Sequence, residues 1–477
     1  MDSMLGSSKP KHDKLHIAMF PWLAFGHMIP FLEFAKLLAQ KGHRITFIST
    51  PRNIDRLPNV PPSLAPLISL VKIPLPRVDN LPQDSEATSD VPLKDVAFLE
   101  DAYDALHDSL AHFLQSSLPD WILCDFAAYW VPPLARRLNV PSCFFSIFTA
   151  ATLGFMSPPS AEEDYRRVPE DLAATPKWVN FPTTVAYRYF EASKIGPPCL
   201  GWEPHKVGVI NRFHGTLRGC DLIAVRTFKE FEAEWLKLLE RIHLKPALPV
   251  GVLAPKPQEG PEDDDDASWR SIKDWLDNQT KGSVVYVAFG SEAKPSQEEL
   301  TEIALGLELS GVPFFWVLRK RRGSADTEVV ELPEGFEERV KGRGVVSTGW
   351  VPQLKILAHD SVGGFLTHSG WSSVVEALQF EKALVLLTFY ADQGLNAKLF
   401  QEQKIGYLIP REERDGSFTR TAVAESVRVV IKEEEGKIYR DKAKEMRAVI
   451  GDVNQQSEYV DNFLDYLGGH KMHHGDH

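Results

Sequence analysis

The stretch that most constrains the fold of this chain is an apolar run that passes through a small-residue turn into a helical pattern. Residues 362–368 predict a buried strand, residues 369–373 supply the turn, and residues 374–380 have the spacing of an amphipathic helix. A strand that opens a helix through glycine and serine presents unpaired backbone N–H groups and the positive end of a helix dipole. The turn therefore predicts an anion site, for which phosphate is the natural ligand.

Polar and aromatic side chains flank this turn at positions that suit a nucleotide sugar. A flat aromatic ring can stack on a base, a carboxylate can hold a ribose diol, and an acid–amide pair can bind sugar hydroxyls. The residues with these side chains are Trp350, Gln353, His368, Glu376, Asp392 and Gln393. We therefore expect the block from residue 350 to residue 393 to hold a nucleotide sugar.

Strand and helix patterns alternate along the chain and restart in its second half. They predict strands at 15–21, 43–50, 121–125, 140–148, 283–291, 314–319 and 344–350, and helices at 28–42, 95–118, 131–138 and 297–310. Alternation of this kind predicts parallel sheets covered by helices, and 477 residues are too many for one ordinary core. We therefore predict an α/β protein of two Rossmann-like domains, with a cleft at the carboxyl ends of their strands. The expected divisions are a disordered start at 1–14, a first domain at 15–250, an acidic Pro/Gly linker at 251–268, a second domain at 269–454, a C-terminal helix at 455–467 and a flexible tail at 468–477.

The charge and composition of the chain disfavour some classes of partner. The 53 Lys and Arg residues stand against 65 Asp and Glu residues, which gives a formal net charge of −12. An acidic chain disfavours nucleic acid and anionic membrane surfaces as partners. The longest apolar run, near residues 383–391, is about half the length that a membrane span requires.

The cysteines and the first residues bear on the compartment. The four cysteines, Cys124, Cys143, Cys199 and Cys220, lie far apart without a CxxC pair, which favours buried free thiols in a reducing environment. Residues 1–14 are polar and contain no apolar core of a signal peptide. We therefore expect a cytoplasmic protein, and we expect it to be a monomer.

Two candidate catalytic residues follow strands of the first predicted domain. His27 comes after the first strand and opens a helix, where the positive end of the helix dipole favours the neutral imidazole that a general base needs. Asp125 ends the apolar run at 121–125. Taken alone, Asp125 also fits a helix N-cap, and His27 also fits a structural role. Thr149, after the strand predicted at 140–148, is a candidate for contact with a donor sugar.

The block from residue 350 to residue 393 resembles the signature of plant UDP-dependent glycosyltransferases, which move sugars from UDP-sugars to small molecules. Many fixed positions agree at once, and residues 20–27, 49–53 and 285–291 are also similar to this family. Within the family the chain resembles most a branch with sugar-on-sugar transferases that extend steviol and flavonoid glycosides. The resemblance implies the GT-B fold, in which the last helix crosses back onto the first domain.

The resemblance also implies roles for individual residues. His27 would be the catalytic base, and Asp125 would orient it. The residues implied to bind the UDP-sugar are Ser291, Trp350, Val351, Gln353, His368, Gly370, Trp371, Ser372, Ser373, Glu376, Asp392 and Gln393, with Thr149 near the sugar. The implied activity is inverting transfer of a hexose, expected to be glucose, to a hydroxyl of a small plant metabolite or of a glycoside's sugar. No metal and no cofactor beyond the UDP-sugar are implied.

The chain departs from the family's pattern at two places. The usual His-Cys-Gly-Trp-Asn-Ser is here His-Ser-Gly-Trp-Ser-Ser, so Ser372 stands where an asparagine contacts a phosphate. A hydroxyl is shorter than an amide, which predicts a weaker or water-mediated contact. The usual Gly-x-Pro after the helix is replaced at residues 381–383 by Glu-Lys-Ala, which leaves the tightness of that turn open.

Several alternatives stay open at this point. The acidic run at 263–266 contains an Asp-x-Asp spacing that holds a metal in other glycosyltransferases, although a solvated linker fits it better. A dinucleotide-dependent oxidoreductase is disfavoured because no Gly-x-Gly-x-x-Gly follows the first strand. A UDP-rhamnose-dependent transferase and a weakly catalytic UDP-sugar-binding protein both remain. The irregular segment at 160–205 is either an acceptor-binding lobe or a surface excursion.

Overall fold

The strands of the protein form two parallel sheets. The computed structural model describes residues 14–160, 163–199, 207–255, 267–290, 295–318 and 331–471. Within them, the strands of the first sheet are β1 (His16–Phe20), β2 (Arg44–Ser49), β3 (Ile68–Lys72), β4 (Trp121–Cys124), β5 (Ser142–Ser146), β6 (Leu222–Val225) and β7 (Ala247–Pro249). Those of the second sheet are β8 (Val284–Ala288), β9 (Phe314–Val317), β10 (Gly344–Ser347), β11 (Val362–Thr367), β12 (Ala383–Leu386) and β13 (Gly406–Leu408).

Helices connect the strands of each sheet. In the first half they are α1 (Phe25–Gln40), α2 (Pro51–Arg56), α3 (Val96–Asp104), α4 (His107–Ser117), α5 (Val131–Arg137), α6 (Ala150–Met156), α7 (Pro169–Leu172), α8 (Tyr189–Cys199), α9 (Val209–Gly219) and α10 (Lys229–His243). In the second half they are α11 (Ala267–Asp277), α12 (Gln297–Ser310), α13 (Phe336–Arg339), α14 (Gln353–Ala358), α15 (Trp371–Leu378), α16 (Gln393–Glu402), α17 (Arg420–Ile431), α18 (Lys437–Ile450) and α19 (Val453–Gly469). No helix in the described ranges is long and apolar enough to cross a membrane.

The strand order of each sheet contains one point at which the chain reverses direction across the sheet. The orders are β3-β2-β1-β4-β5-β6-β7 and β10-β9-β8-β11-β12-β13, with parallel pairing throughout. The reversals lie between β1 and β4 and between β8 and β11. In open α/β sheets ligands bind outside the carboxyl ends of the strands at such points. The predicted fold of two Rossmann-like α/β units, which is the GT-B arrangement, is therefore confirmed.

The last helix packs on the first sheet, far from its neighbours in sequence. Val460, Phe463, Leu464 and Leu467 of α19 are buried in the same core as the β1 residue Ile17. Trp121 of β4 donates its indole N–H to the carbonyl oxygen of Leu467 at 3.1 Å. Helix α19 is thus part of the hydrophobic core around β1.

Some predicted elements differ from those observed. The single helix expected at 95–118 is two helices, α3 and α4, with a break at Ala105 and Leu106. Helix α1 begins three residues earlier than expected, at Phe25, and so contains Pro30 in its second turn. The segment at 160–205 is less irregular than expected, since it contains α7 and α8.

The thiols and the uncertain segments can be placed only in part. Cys124, Cys143 and Cys220 are free and buried, whereas the side chain of Cys199 lies outside the described part of the chain. The acidic run at 263–266, most of the predicted linker and residues 472–477 also lie outside it.

Candidate functional site

The first candidate pair, His27 and Asp125, meets at the reversal point of the first sheet. His27 lies in the first turn of α1 after β1, and Asp125 directly follows β4. The two side chains are joined by a hydrogen bond of 2.7 Å between His27 Nδ1 and Asp125 Oδ2. Asp125 is fully buried, and the imidazole is 12% exposed. The pair therefore has the form of a buried carboxylate that holds a partly accessible imidazole.

Backbone groups fix the orientation of the Asp125 carboxylate. Its Oδ2 also accepts the N–H of Trp22 at 3.0 Å, and its Oδ1 accepts the N–H of Phe126 at 2.7 Å. With the carboxylate anchored in this way, His27 Nδ1–H is the natural donor to it, so the imidazole lone pair is on Nε2. This tautomer is the one that a general base requires. Asp125 caps no helix through its side chain in these contacts, so the N-cap alternative loses its support.

Aromatic rings surround the imidazole. The ring centroid of Phe126 lies 5.5 Å and that of Phe148 5.3 Å from that of His27. Phe213 stacks on Phe126 at 4.7 Å. An acceptor molecule that approaches His27 therefore meets an apolar, aromatic wall, which suits a planar or hydrophobic small molecule.

The second candidate site is the turn from β11 into α15. Gly370 is the residue before the helix and has no side chain to cap it, so the first backbone N–H groups of α15 lack a side-chain partner there. A Cβ on Gly370 would overlap the imidazole of His368, and one on Gly290 would lie 3.0 Å from it. Ser369 adopts a left-handed φ of 72°. The imidazole of His368 thus occupies a space between Gly290 and Gly370 that a side chain at either position would narrow.

His368 is neutral over the physiological range. Burial lowers its pKa to about 4, and the described residues place no carboxylate against the ring. A neutral imidazole offers one N–H donor and adds no charge. His368 therefore fits a hydrogen-bond donor to an anion rather than a proton carrier.

The residues around Trp350 include one exposed ring and a buried network. Trp350 is 71% exposed, and Val351 after it is buried. Gln353 donates its amide N–H to Glu376 Oε2 at 2.6 Å, and Tyr286 O–H donates to Gln353 Oε1 at 3.1 Å. Burial raises the pKa of Glu376, opposed by the Gln353 hydrogen bond and the charge of Arg226. An exposed indole beside a half-buried carboxylate suits a base and a ribose diol.

Asp392 and Gln393 begin α16, where each makes a different kind of contact. Gln393 is buried, and its Oε1 accepts the N–H of Phe389 at 2.9 Å, which anchors the loop after β12. Asp392 Oδ2 accepts an N–H of Asn396 at 2.7 Å. Burial raises the pKa of Asp392, whereas the charge of His27 acts to lower it, so the two side chains lie within electrostatic range. The two halves of the candidate site therefore face each other.

Thr149 belongs to this contact between the halves rather than to an open surface. Its hydroxyl is fully buried and caps α6 by accepting the N–H of Thr152 at 3.2 Å. Its Oγ1 also lies 3.0 Å from Asn396 Oδ1. The path from Thr149 to the donor site therefore runs through Asn396 to Asp392.

Trp371 and Ser372 also contact the first half. The Trp371 indole is buried, donates to the carbonyl oxygen of Arg226 at 2.7 Å and stacks on Phe231 with centroids 5.3 Å apart. The Ser372 hydroxyl accepts a hydrogen bond from Arg226 Nη1 at 2.6 Å. Ser373 lies one residue further into the same helix, and Ser291 lies outside the described residues. Trp371 and Ser372 thus both join the start of α15 to the first half.

The turn at residues 381–383 keeps a tight form without the usual glycine. Glu381 adopts a left-handed φ of 60°, and its carboxylate pairs with Arg447 at 2.6 Å. Lys382 donates to the carbonyl oxygen of Val362 at 2.8 Å. Side chains therefore tie this turn to α18 and to β11 where the family's pattern has a glycine.

Two residues of the site were missed by the sequence analysis. Arg226 follows the buried strand β6 as Asp125 follows β4, and this common signal would have marked it. Asn396 lies one helical turn after Asp392, the spacing at which side chains on a helix meet. Both were overlooked because their partners, Ser372 and Thr149, are distant in sequence.

Comparison with known proteins identifies the family of this chain. The family profile described as UDP-glucoronosyl and UDP-glucosyl transferase matches residues 265–451. UDP-glycosyltransferase 91A1 of Arabidopsis thaliana is 56% identical over 457 residues, which cover 95% of this chain and 97% of that protein. The soyasaponin III rhamnosyltransferase of Glycine max is 43% identical over 99% of both chains.

A solved structure supports the same placement. The structure of Phytolacca americana UGT2 complexed with UDP-2fluoro-glucose and pterostilbene superposes with a TM-score of 0.71 at 25% identity. The superposition covers 95% of this chain and 99% of that one. With its two parallel sheets, its turn into α15 and these relatives, this chain belongs to the plant UDP-glycosyltransferase family.

Proposed function

We propose that this protein is an inverting O-glycosyltransferase that moves glucose from UDP-glucose to a hydroxyl of a small plant metabolite. The acceptor hydroxyl can belong to an aglycone or to the sugar of a glycoside. The observation that carries the proposal is the 2.7 Å contact between His27 Nδ1 and Asp125 Oδ2 at the reversal point of the first sheet.

In this proposal His27 is the general base. As the acceptor oxygen forms its bond to the anomeric carbon, His27 Nε2 takes the acceptor's proton. Asp125 accepts the Nδ1–H, keeps the productive tautomer and stabilises the imidazolium that forms. The buried carboxylate with two backbone donors supports this role because its position does not depend on the ligand.

The bond from the anomeric carbon to the UDP oxygen breaks as the new bond forms on the opposite face, so the configuration inverts. The diphosphate leaves with the electron pair and gains negative charge. The N-terminus of α15, the neutral His368 and the hydroxyl of Ser373 are the groups we assign to that charge, together with Ser291. We propose that no metal takes part and that the protein acts as a cytoplasmic monomer.

We assign the remaining donor contacts by their chemistry. Trp350 would stack on uracil, beside the backbone of Val351 and the amide of Gln353, and Glu376 would accept the ribose hydroxyls. Asp392 and Gln393 would bind hydroxyls of the sugar, because a carboxylate accepts from two neighbouring hydroxyls and an amide can donate to a third. Glucose, with equatorial hydroxyls, suits that arrangement.

A second donor is favoured by one observation. The soyasaponin III rhamnosyltransferase of Glycine max covers nearly the whole chain at 43% identity, so UDP-rhamnose is the second candidate. Its deoxy sugar lacks one hydroxyl, which would leave a partner of the Asp392–Gln393 pair unbound.

The test is a transfer assay with UDP-glucose and a panel of plant phenolics and glycosides, with product detection by mass spectrometry. Transfer to at least one acceptor, with inversion observed by NMR of the product, is expected. UDP-sugar binding without any transfer would favour the weakly catalytic UDP-sugar-binding protein instead.

A further inference from the structure

Arg226 is a buried cation beside the first turn of α15, where we propose that the diphosphate binds. It directly follows β6 of the first half and is 2% exposed. Its Nε donates to the carbonyl oxygen of Val252 at 2.7 Å, and its Nη1 donates to Ser372 Oγ in the first turn of α15 at 2.6 Å. Burial lowers its pKa to about 10, so the guanidinium stays charged at neutral pH.

This guanidinium has no carboxylate partner among the described residues. Its two hydrogen-bond acceptors are a carbonyl and a hydroxyl, and Nη2 donates to none of the described groups. Glu376 and Glu33 act on it only at a distance. The other deeply buried arginines, Arg166 and Arg212, each form an ion pair, with Asp164 and Asp104. Because burial of an unpaired charge is strongly unfavourable, Arg226 has the features of a group kept for an anionic ligand.

The contact also sets the direction of the Ser372 hydroxyl. Ser372 Oγ accepts from Arg226, so its own O–H is the donor toward another group. A hydroxyl polarised by a neighbouring cation is a stronger donor than an isolated one. Ser372 stands where the family's pattern has an asparagine, so the chain has a cation-backed hydroxyl in place of an amide.

We propose that Arg226 and Ser372 form one diphosphate-binding unit, in which Arg226 supplies charge from the first half and Ser372 donates to a phosphate oxygen. This inference rests on the proposed use of a UDP-sugar. It makes a residue of the first half part of donor binding, so that the diphosphate joins the two halves of the protein. Uridine, which lacks the diphosphate, would bind without this contact.

Binding of UDP and of uridine to the full-length protein, measured by titration calorimetry, separates this role from a structural one. Arg226→Met is expected to weaken UDP binding by ~10–150-fold, the effect of losing a hydrogen bond to a charged group. Uridine affinity is expected to stay within about twofold, because base and ribose contact other residues.

Three further variants complete the test. Ser372→Asn in the Arg226→Met background is expected to restore part of the lost UDP affinity, since it returns the family's amide donor. Arg166→Met removes a buried guanidinium in the first half and is expected to leave the ratio of UDP to uridine affinity unchanged. If Arg226→Met fails to fold, Arg226→Lys keeps the charge without the fork and is expected to give a smaller loss for UDP alone.

Equal loss of UDP and uridine affinity in Arg226→Met or Arg226→Lys, or no loss of either, would overturn the inference. Both results differ from failure of the proposed function, in which the unmodified protein itself would bind neither UDP nor UDP-glucose.

Discussion

Two histidines lie beside the reversal points of the two sheets, and their surroundings differ. His27 follows β1 beside the reversal point of the first sheet, and His368 follows β11 beside that of the second. His27 is hydrogen-bonded to a buried carboxylate, whereas burial lowers the pKa of His368 to about 4 and no carboxylate in the described part of the chain lies against its ring. A histidine beside a reversal point is thus held by a carboxylate in one half and packed against glycine in the other.

The difference comes from the strand next to each histidine. In the first sheet β4 ends in Asp125, which reaches the imidazole of His27. In the second sheet β8 ends near Gly290, which adds no side chain and lets the His368 ring lie against the backbone. The residue near the end of the adjacent strand thus differs between the two sites, with a carboxylate against His27 and a glycine against His368.

The sharpest test of this comparison removes each imidazole in turn. His27→Ala is expected to lower turnover by ~10²–10⁴-fold with UDP affinity nearly unchanged, because its ring faces the acceptor. His368→Ala is expected to weaken UDP binding instead. Steady-state kinetics and calorimetry measure the two effects. Turnover of His27→Ala above about a third of the unmodified rate would remove it as the base.

Asp125→Asn probes the first half alone. It is expected to lower turnover and also the melting temperature, because the amide NH2 replaces an oxygen that accepts the backbone N–H of Trp22 or of Phe126. A fully active Asn variant would show that the charge of Asp125 plays no part.

The second half can be tested through its glycine. Gly370→Ala places a Cβ against His368 and is expected to weaken UDP binding by ~5–150-fold, the equivalent of 1–3 kcal/mol of overpacking. Gly349→Ala is the matched control, since a Cβ there meets no atom within 4 Å. Unchanged UDP affinity in Gly370→Ala would mean that the ring does not need its present position.

The preference among UDP-sugars tests whether residues of the second half distinguish one donor sugar from another. We expect kcat/KM for UDP-glucose to exceed that for UDP-galactose and UDP-rhamnose by at least about tenfold, because an unmatched sugar leaves a buried polar group unpaired. Gln393→Ala is expected to reduce glucose transfer more than UDP binding. Competition kinetics with the three donors decides the matter, and a preference for UDP-rhamnose would replace the glucose assignment.

A smaller effect is expected at Glu381. Glu381→Gly relieves a left-handed backbone but removes the exposed ion pair with Arg447, so the free energy of unfolding is expected to change by less than about 1 kcal/mol. Urea unfolding measures it. A larger loss would show that the ion pair, and not the backbone, holds the turn after α15.

The smallest effect is expected from a chelator. Transfer should persist in excess EDTA, because we assign the charge of the leaving diphosphate to backbone N–H groups, His368 and Arg226. Loss of turnover with EDTA and its return with Mg²⁺ or Mn²⁺ would direct attention to the acidic run at 263–266.

The sequence was sufficient to predict the central strands of both sheets and the meeting of His27 with Asp125. Period and turn residues predict β1, β4, β8 and β11, and polar residues after buried strands must meet at one edge of a parallel sheet. His27 and Asp125 followed from that rule together with the family resemblance. The sequence near each strand therefore largely determines which side chains meet at the end of neighbouring strands.

Contacts between the two halves could not be predicted in the same way. The Arg226–Ser372 and Thr149–Asn396 hydrogen bonds join residues that are far apart in sequence and belong to different sheets. These contacts depend on how the two halves pack against each other. Periodicity and residue spacing within one half do not predict that packing. Trp371 shows the same limit, since its burial against Phe231 is set by the first half.

The position of α19 has a consequence for synthesis of the chain. Phe463 and Leu467 complete the core around β1, and the indole N–H of Trp121 in β4 donates to the carbonyl oxygen of Leu467. On the ribosome, the first sheet emerges long before these residues do. The first half of the protein must therefore keep an uncovered apolar groove until α19 has been synthesised and can pack on it.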